Sequence, residues 1–437
     1  MRRALAGLTT RGRSFVAAGV AATICALALG ERDLLRVGVF LLVLPAVALA
    51  VVHRTRYRLS CTRRLDPPRV PAGQPASVVL QLDNVSRLPT GVLLVEDTLP
   101  YVLGGRPRFV LDRVEPQGVR EVSYAVRSDL RGRYRIGPLS VRLTDPFGLC
   151  ELNRSFAAVD TLVVTPSITA LPPVRLRGEW AGTGESRARS VSSAGEDDVA
   201  TREYRQGDDL RRVHWRSTAR YGELMVRREE QPWQSRAAVV LDSREDAHRG
   251  DGPGSSFEWS VSAAASVGVH LARNGYLIRL VTGDGDLTAD ATDQGNGTTE
   301  SLLLDSLAVV TPSGRPSLAA ALMGARRASG DGLLVAVLGR LEPDEAELLG
   351  RLRHTATAGI AIMLDTSTWA TLGPRARAEA ATAFTARARL LQAAGWRVLP
   401  VRHGTSLAAV WPQAGTGVAV RALEGYDPAV ASGGGRR

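Results

Sequence analysis

Residues 237–242 read Ala-Ala-Val-Val-Leu-Asp, an unbroken apolar run that ends in a carboxylate. A strand without polar alternation is buried on both faces, which is typical of a parallel sheet covered by helices. Similar runs follow, and stretches with helical periodicity separate them. The runs are Tyr276–Val281, Leu333–Leu338, Ile360–Leu364 and Trp396–Val401, and the helical stretches are Phe257–Asn274, Ser317–Arg327, Pro343–His354 and Pro374–Ala394. This alternation predicts a doubly wound α/β domain over residues 236–412, with a C-terminal tail at 413–437.

Upstream of this domain we predict a connector, residues 171–235, which contains a densely charged segment at 202–224. The segment packs charges of both signs around two aromatic residues. Its arginines can pair bidentately with the acids while Tyr204 and Trp215 anchor it against a neighbouring domain, and a partner-docking surface is an extension of that interpretation. We assign a partner-binding or structural signature to Arg202, Glu203, Tyr204, Gly207, Asp208, Asp209, Arg211, His214, Trp215, Arg216, Ala219, Arg220, Gly222 and Glu223.

Two alternative chemistries for this signature stay open. Its acids and His214 are suitable acid/base groups beside Ser217 as a nucleophile, which describes a membrane-bound hydrolase or transferase. Catalytic triads, however, are assembled from distant parts of a chain, and no Gly-x-Ser-x-Gly elbow is present. Its arginines could also contact phosphates while Trp215 stacks on a base, but the interleaved acids oppose nucleic-acid binding. We therefore predict neither a catalytic residue nor a nucleic-acid partner.

Residues 65–170 have a different texture, with short alternating runs separated by Gly, Pro and Asn. The spacing of these runs is typical of a sandwich of antiparallel sheets. They are Ser77–Leu82, Val92–Asp97, Arg108–Val114, Val119–Val126, Leu139–Leu143 and Thr161–Val164. This pattern predicts an immunoglobulin-like β-sandwich.

Two apolar runs, Phe15–Gly30 and Val37–Val52, occupy the N-terminal part of the chain, separated by a short charged turn. They predict a transmembrane α-hairpin within residues 1–64, with spans at about 14–30 and 34–52. Arginines precede the first run and follow the second, including Arg63 and Arg64, so the positive-inside rule places both ends and the rest of the chain in the cytoplasm. A cleaved signal peptide ending near Ala28 is the alternative, and the second run would then still be a span.

The composition narrows the function further. All 55 Lys+Arg positions are arginine, so a P-loop, a kinase or a pyridoxal-phosphate site cannot be built without the lysine that each needs. Of the net charge of +11, residues 1–64 carry +9, from 11 arginines and two acids. The basic excess therefore belongs to the membrane segment, and the remainder has a nearly neutral surface. Three widely spaced cysteines indicate no disulfide framework and fit a reducing compartment.

These features together resemble the bacterial family catalogued as domain of unknown function 58. The resemblance is carried by the apolar hairpin, Arg131–Tyr134 and Asp145–Leu149 of the β-region, the 202–224 signature, and a strand ending in Asp242. His214 stands where many members have Asp, which weighs against a general catalytic role. The resemblance implies a von Willebrand factor A-like domain and a MoxR-type AAA+ ATPase partner, sometimes with a transglutaminase-like protein. No enzymatic activity is attached to the family.

Domains of the von Willebrand A type often hold Mg²⁺ through an Asp-x-Ser-x-Ser motif, because this ion prefers oxygen ligands. Here Arg244 and Asp246 fill the two serine positions after Asp242, so the resemblance implies a degenerate site. We therefore expect no metal and no cofactor. The sequence predicts a multi-pass membrane protein that acts as a non-enzymatic scaffold or adaptor, and a metal-dependent protein-binding module is a further alternative.

Overall fold

The computed structural model describes residues 7–54, 59–87, 89–145, 147–174, 201–204, 213, 215–227, 236–288, 296–314, 318–329, 332–353 and 358–416. The chain divides into two compact units, Met1–Pro166 and Ser167–Arg437. The first contains two apolar helices and several sheets, and the second contains an α/β region. The coarse order of elements predicted from the sequence is confirmed.

The first unit opens with two helices, α1 (Thr10–Leu29) and α2 (Arg32–Arg54). Thr9 caps α1, because its hydroxyl oxygen accepts a hydrogen bond from the backbone nitrogen of Gly12 at 3.2 Å. Gly30 ends α1 with a φ of 72°, a left-handed conformation that glycine adopts without strain. The chain can therefore reverse at once into α2.

The two helices approach each other closely at two glycines. A Cβ atom at Gly19 would lie 2.8 Å from Cγ of Leu42, and one at Gly38 would lie 2.6 Å from Oγ1 of Thr23. Small residues at such points let helix backbones pack tightly where the hydrophobic effect is weak. By length and composition alone, both helices are long and apolar enough to cross a membrane, with mean hydropathies of 1.7 and 2.1.

The sheets of the first unit share one apolar core. Its strands are β1 (Leu59–Asp66), β2 (Arg69–Pro71), β3 (Pro75–Asn84), β4 (Leu93–Asp97), β5 (Arg108–Leu111), β6 (Val119–Arg127), β7 (Gly132–Ile136), β8 (Leu139–Thr144), β9 (Glu151–Phe156) and β10 (Asp160–Thr165). The sheet orders are β1-β3-β6, β5-β4-β8-β9 and β2-β10-β7. Alternate residues of β3, namely Val78, Leu80 and Leu82, are fully buried in this core.

A buried ion-pair network joins these sheets at Arg63 of β1. Its guanidinium donates to the two oxygens of Asp97 at 2.7 and 3.1 Å and to Asp160 at 2.9 Å. The Tyr124 hydroxyl donates to Asp97 at 2.6 Å. Burial, followed by the bond to Asp97, raises the pKa of Tyr124. The charge of Arg63, which follows the second apolar run in sequence, is therefore paired inside the β core.

Strand β1 also begins at Leu59, ahead of the predicted boundary at residue 65. Between the two large parts of the chain lie three short elements, β11 (Thr201–Glu203), α3 (Trp215–Tyr221) and β12 (Met225–Arg227). Strand β11 and helix α3 overlap the predicted signature at 202–224, and β12 follows it directly. Part of the described residues of that segment therefore forms regular secondary structure.

The α/β region is built on one six-stranded sheet in the order β15-β14-β13-β16-β17-β18. All neighbouring pairs are parallel except β14 and β15. Its strands are β13 (Arg236–Leu241), β14 (Leu277–Thr282), β15 (Gly285–Asp286), β16 (Leu333–Leu338), β17 (Ala358–Leu364) and β18 (Arg397–Val401). The helices are α4 (Ser256–Arg273), α5 (Asn296–Val309), α6 (Ala319–Ser329), α7 (Pro343–Arg353), α8 (Pro374–Ala393), α9 (Leu407–Val410) and α10 (Gln413–Thr416).

Both faces of this sheet are covered. Val239 and Leu241 of β13 enter a core that includes Phe257 of α4, whereas Ala238 and Val240 enter the opposite core. This burial on both faces explains why β13 has no polar alternation. Every strand that the apolar runs predicted is present, and β15, α5, α9 and α10 are additional elements.

Candidate functional site

The described parts of the signature segment, together with β12 after it, form a short antiparallel strand pair with a helix inserted between the strands. Strand β11 pairs with β12, and the Tyr204 backbone nitrogen donates to the carbonyl oxygen of Leu224 at 2.8 Å. Val213 also bridges to Val226, and these two side chains are only 8% and 3% exposed. Helix α3 is therefore flanked in sequence by two strands that are hydrogen-bonded to each other.

Gly222 ends helix α3 and returns the chain to β12. It has a φ of 74°, and its backbone nitrogen donates to the carbonyl oxygen of Thr218 at 2.9 Å. The Thr218 hydroxyl then accepts from the backbone nitrogen of Met225 at 3.0 Å. A glycine cap of this kind fixes the exit direction of a helix, which explains a glycine at this position of the signature.

The structure places only part of the predicted signature. The described members are Arg202, Glu203, Tyr204, Trp215, Arg216, Ala219, Arg220, Gly222 and Glu223. The members outside the described residues are Gly207, Asp208, Asp209, Arg211 and His214. The side chain of Ser217 is outside as well, so the acid/base alternative stays a prediction.

The described part of the signature exposes both aromatic and basic side chains on α3. Trp215 is 70% exposed and Tyr221 is 64% exposed, although both are large and apolar. Arg216 and Arg220 are exposed on α3 four residues apart, and residues at that spacing share a helix face. We call these four residues the aromatic–arginine surface. Trp215 as a whole residue is mostly exposed within the described part of the chain, and the anchoring interpretation stays a prediction.

A second candidate site lies at the C-terminal end of β13. Ligands of open parallel sheets bind outside the carboxyl ends of the strands. Arg244 donates to both carboxylate oxygens of Asp242 at 2.8 and 2.9 Å, and to Glu345 at 2.5 Å. The three side chains are 4%, 0% and 9% exposed, respectively. We call this group the strand-end cluster.

The backbone completes this cluster. The Gly339 nitrogen donates to Asp242 at 3.1 Å, and the carbonyl oxygen of Arg340 accepts from Arg244 at 2.9 Å. Burial alone would lower the pKa of Arg244, but hydrogen bonds and charges from Asp242 and Glu345 raise it overall. The Arg244 guanidinium therefore carries a permanent positive charge at the C-terminal end of β13.

These residues do not fit a Mg²⁺ ion. Arg244 already forms ion pairs with both carboxylates of the cluster, and its positive charge would repel a second cation. Asp246 is exposed on a short 3-10 turn beyond Arg244. Within the described residues, no group of three or more His, Cys, Asp or Glu side chains is arranged to hold a metal.

Glu345 is the member of this cluster that sequence reasoning missed. It lies in the first turn of α7, where its other oxygen accepts from the backbone nitrogen of Glu342 at 2.9 Å. A glutamate that reaches back to the start of its helix, with proline at the first helical position, is a capping arrangement. The sequence Glu342-Pro-Asp-Glu345 contains that signal, but not the contact with Arg244.

The His248 ring contacts the backbone of the strand-end cluster. One ring nitrogen, Nε2, lies 2.8 Å from the carbonyl oxygen of Asp242, and Nδ1 lies 3.2 Å from the Ser256 hydroxyl. With Nε2 as donor and Nδ1 as acceptor, the neutral ring satisfies both contacts. Burial lowers the pKa of His248, with opposing contributions from Asp242.

The second unit should therefore lose stability in mild acid. A histidine whose pKa is lowered by folding stabilises the fold above its unfolded pKa of about 6.5, and that stabilisation is lost as the pH falls below this value. We expect His248→Gln, which can still donate and accept, to reduce the slope between about pH 6.5 and pH 5 by at most about 1.4 kcal/mol per pH unit. Urea unfolding at a series of pH values measures this slope.

Residual pH dependence in that variant is expected from His270, since burial lowers its pKa too. Identical slopes for the wild-type and His248→Gln proteins would contradict the prediction. All seven tryptophans lie in the second unit, so their fluorescence follows its unfolding in the full chain.

Comparison with known proteins places this part of the chain in context. A relative in Bacillus subtilis (strain 168), the uncharacterized protein YeaD, is 28% identical over 221 residues, or 49% of this chain and 53% of that protein. This chain thus spans about half the length of that relative.

Among solved structures, the CARDB domain of the PF1109 protein from Pyrococcus furiosus is 15% identical and covers 25% of this chain and 93% of its own, with a TM-score of 0.19. PapD-like domain 7 of human CEP192 is 11% identical and covers 25% of this chain and 87% of its own, with a TM-score of 0.17. Scores this low carry no argument about the present chain.

The sequence model of the family described as "Protein of unknown function DUF58" matches residues 200–367. The match begins at β11 and ends in the turn after β17, so it includes the aromatic–arginine surface and the strand-end cluster. The resemblance to the DUF58 family, first carried by the signature, is thereby confirmed for this part of the chain.

Proposed function

We propose that the protein is a membrane-anchored, non-enzymatic scaffold that docks a protein partner through the aromatic–arginine surface. One observation carries the proposal, namely the 70% exposure of Trp215 on a helix that is fixed by its own strand pair. Exposing a large aromatic side chain to water is unfavourable, and such residues are enriched at the centres of binding interfaces. Leu224, 41% exposed, extends the apolar area.

The chemistry of this surface selects the kind of partner. Tryptophan, tyrosine and arginine are the residue types that contribute most to binding energy when they are buried in an interface. Two exposed arginines on one helix face favour an acidic partner surface with an apolar pocket for the ring. We propose a MoxR-type AAA+ ATPase as that partner, in line with family membership and with the missing lysine, since nucleotide hydrolysis must then come from another protein.

We further propose a finer assignment of each unit. The sheets around one core in the first unit suit an immunoglobulin-like sandwich, and the covered parallel sheet with Asp242 at a strand end suits a von Willebrand A-like domain. Arg11 and Arg13 at the start of α1 favour a cytoplasmic location for both units. Because Arg244 pairs with both carboxylates of the strand-end cluster, partner binding is proposed to be independent of metal.

Replacing Trp215 with alanine should weaken partner binding without unfolding the protein. Truncation of a central aromatic residue commonly costs at least about 2 kcal/mol, which corresponds to about 30-fold in Kd. The loss is measured as the amount of MoxR-type ATPase that co-purifies with the detergent-solubilised full chain. The ATPase used is the one encoded nearest to this protein. Tyr221→Ala should act in the same direction.

Tyr101→Ala is the matched control, because Tyr101 is an aromatic residue that is 97% exposed in the first unit. It should bind the partner like the wild-type protein. Unchanged partner retention by both Trp215→Ala and Tyr221→Ala would reject the docking surface, whereas tryptophan fluorescence and recovery in the membrane fraction check that each variant is folded and inserted.

A further inference from the structure

The turn between β8 and β9 makes its own hydrogen bonds. It comprises Asp145 and residues 147–150, with Pro146 outside the described residues. The carboxylate of Asp145 accepts from the backbone nitrogen of Cys150 at 2.6 Å and from that of Phe147 at 3.1 Å. The Gly148 nitrogen donates to the carbonyl oxygen of Asp145 at 3.0 Å. Much of the turn's backbone is therefore satisfied without water.

This turn is bonded to the start of α1. The Thr9 nitrogen donates to the carbonyl oxygen of Leu149 at 2.9 Å, and the Thr9 hydroxyl donates to that of Gly148 at 2.6 Å. The Glu151 nitrogen donates to the carbonyl oxygen of Gly7 at 2.8 Å. A Cβ at Gly12 would overlap the Leu149 carbonyl oxygen, so glycine is needed there for this close approach.

The turn also contacts α2. Cys150 is fully buried, and its sulfur lies 3.9 Å from the carbonyl oxygen of Pro45. Leu8, Ala48, Leu149 and Cys150 form one buried apolar cluster, against which Phe15, Val16, Leu44 and Leu49 pack. The turn is therefore held between both helices at the end of the hairpin where the chain enters and leaves.

The length of the helices sets the depth of this contact. The predicted span of α1 begins at about residue 14, because Arg11 and Arg13 are charged, so Thr9 lies about 7 Å on the water side of the hydrocarbon layer. Pro45 lies seven residues before Val52, where the apolar run of α2 ends, and thus about 10 Å inside the layer. A turn that is bonded to Thr9 and touches Pro45 must lie at the boundary between hydrocarbon and water.

Phe147 is 63% exposed on this turn. Val92 is 50% exposed beside Leu93, which pairs with Leu143 at the same end of strand β8. Apolar side chains such as Phe are stabilised when they insert at the boundary between headgroups and acyl chains, and backbone groups that approach the hydrocarbon must be hydrogen-bonded within the protein. The exposed ring and the internally bonded backbone satisfy both conditions.

We propose that this turn is a third membrane contact, in which Phe147 inserts into the interfacial layer of the bilayer beside the two helices. The inference rests on the proposed membrane insertion of the hairpin. Its consequence is that the first unit is held against the lipid surface by the turn as well as by the chain connection, which limits how the sheets can tilt relative to the helices.

A spin label at position 147 tests this contact in the full chain. The variant is Phe147→Cys with Cys25→Ser and Cys61→Ser, reconstituted in phosphatidylcholine–phosphatidylglycerol vesicles, while native Cys150 is buried. Tyr101→Cys is the control, since Tyr101 follows β4 beyond Asp97, which pairs with Leu139 at the far end of β8. We expect collisions with oxygen, relative to a water-soluble nickel complex, to be several-fold more frequent at 147 than at 101.

A label at Ile24, which is 61% exposed in α1, separates the two ways of failing. Water-like accessibility at 147 together with lipid-like accessibility at 24 overturns the third contact and leaves the inserted hairpin intact. Water-like accessibility at both positions overturns the membrane insertion and the inference with it. Lipid-like accessibility at 147 and 24, with water-like accessibility at 101, supports the proposal.

Discussion

Replacing Arg244 with alanine is expected to lower the free energy of unfolding of the second unit by about 3–5 kcal/mol. The substitution removes a guanidinium that is 4% exposed and leaves two buried carboxylates, Asp242 and Glu345, without their cation. Neither carboxylate can move into water, because one ends a central strand and the other is bonded in the first turn of α7. A buried charge without a partner is far more unfavourable than a missing surface pair.

Urea unfolding of the full chain in detergent, followed by tryptophan fluorescence, measures this loss. Arg340→Ala is the matched control, because the Arg340 side chain is 57% exposed and pairs with the exposed Glu342. It should change stability by no more than about 1 kcal/mol. Equal stability of the Arg244→Ala, Arg340→Ala and wild-type proteins would show that the strand-end cluster does not depend on its internal cation.

A triple variant separates charge from packing. Asp242→Asn, Arg244→Met and Glu345→Gln together keep similar volumes and remove every charge of the cluster. Because neutral replacements avoid the desolvation of ions, the triple variant should regain a large part of the loss seen in Arg244→Ala. Failure to regain stability would assign the loss to packing around the arginine stem instead.

The sheet of the second unit was predictable because its signal is local. Leu333–Leu338 is apolar at every position, and each of these residues is buried, as a strand covered on both faces requires. Helix α5 was missed because its first turn, Asn296-Gly-Thr-Thr299, is polar and follows a loop rich in Asp and Gly. Propensity at a helix start is a weak signal when tertiary packing of later residues such as Leu303 and Leu307 decides the outcome.

In the first unit the predicted runs omit strands β1, β2, β7 and β9. Strand β7 reads Gly-Arg-Tyr-Arg-Ile, and only Ile136 is fully buried. A strand with one buried residue carries little hydrophobic periodicity, so its place in the sheet depends on pairing with β10, a non-local contact.

The same difference between local and non-local signals applies to the candidate sites. Asp242 and Arg244 are two residues apart, so the competition of the Arg244 guanidinium with a metal cation for Asp242 was foreseeable from the sequence. Glu345 comes from more than a hundred positions later in the chain, and only the parallel arrangement of β13 and β16 brings its helix to Arg244. Exposure of Trp215 was not predictable, because a tryptophan among charged residues is as consistent with an anchor as with a docking surface.

Replacing Asp97 with alanine is expected to destabilise the first unit by about 3–5 kcal/mol. Asp97 is fully buried and receives hydrogen bonds from the guanidinium of Arg63, the hydroxyl of Tyr124 and the backbone nitrogen of Thr98. Its removal leaves the Arg63 charge, which is 3% exposed, with Asp160 and two carbonyl oxygens. Asp160 is 41% exposed, so it is a weaker counter-ion than the one removed.

Hydrogen exchange measured by mass spectrometry follows this loss, since all the tryptophans lie in the second unit. Amides of β1, β4 and β6 should exchange roughly 10²- to 10⁴-fold faster in Asp97→Ala. Asp129→Ala is the matched control, because Asp129 is 65% exposed and pairs with Arg127 on the surface, and its exchange should match the wild-type protein. Faster exchange confined to β4 would mean that Arg63 and Asp160 hold the sheets together alone. Faster exchange across all three strands requires that one carboxylate couples them, which is what its contacts to β1 and β6 imply.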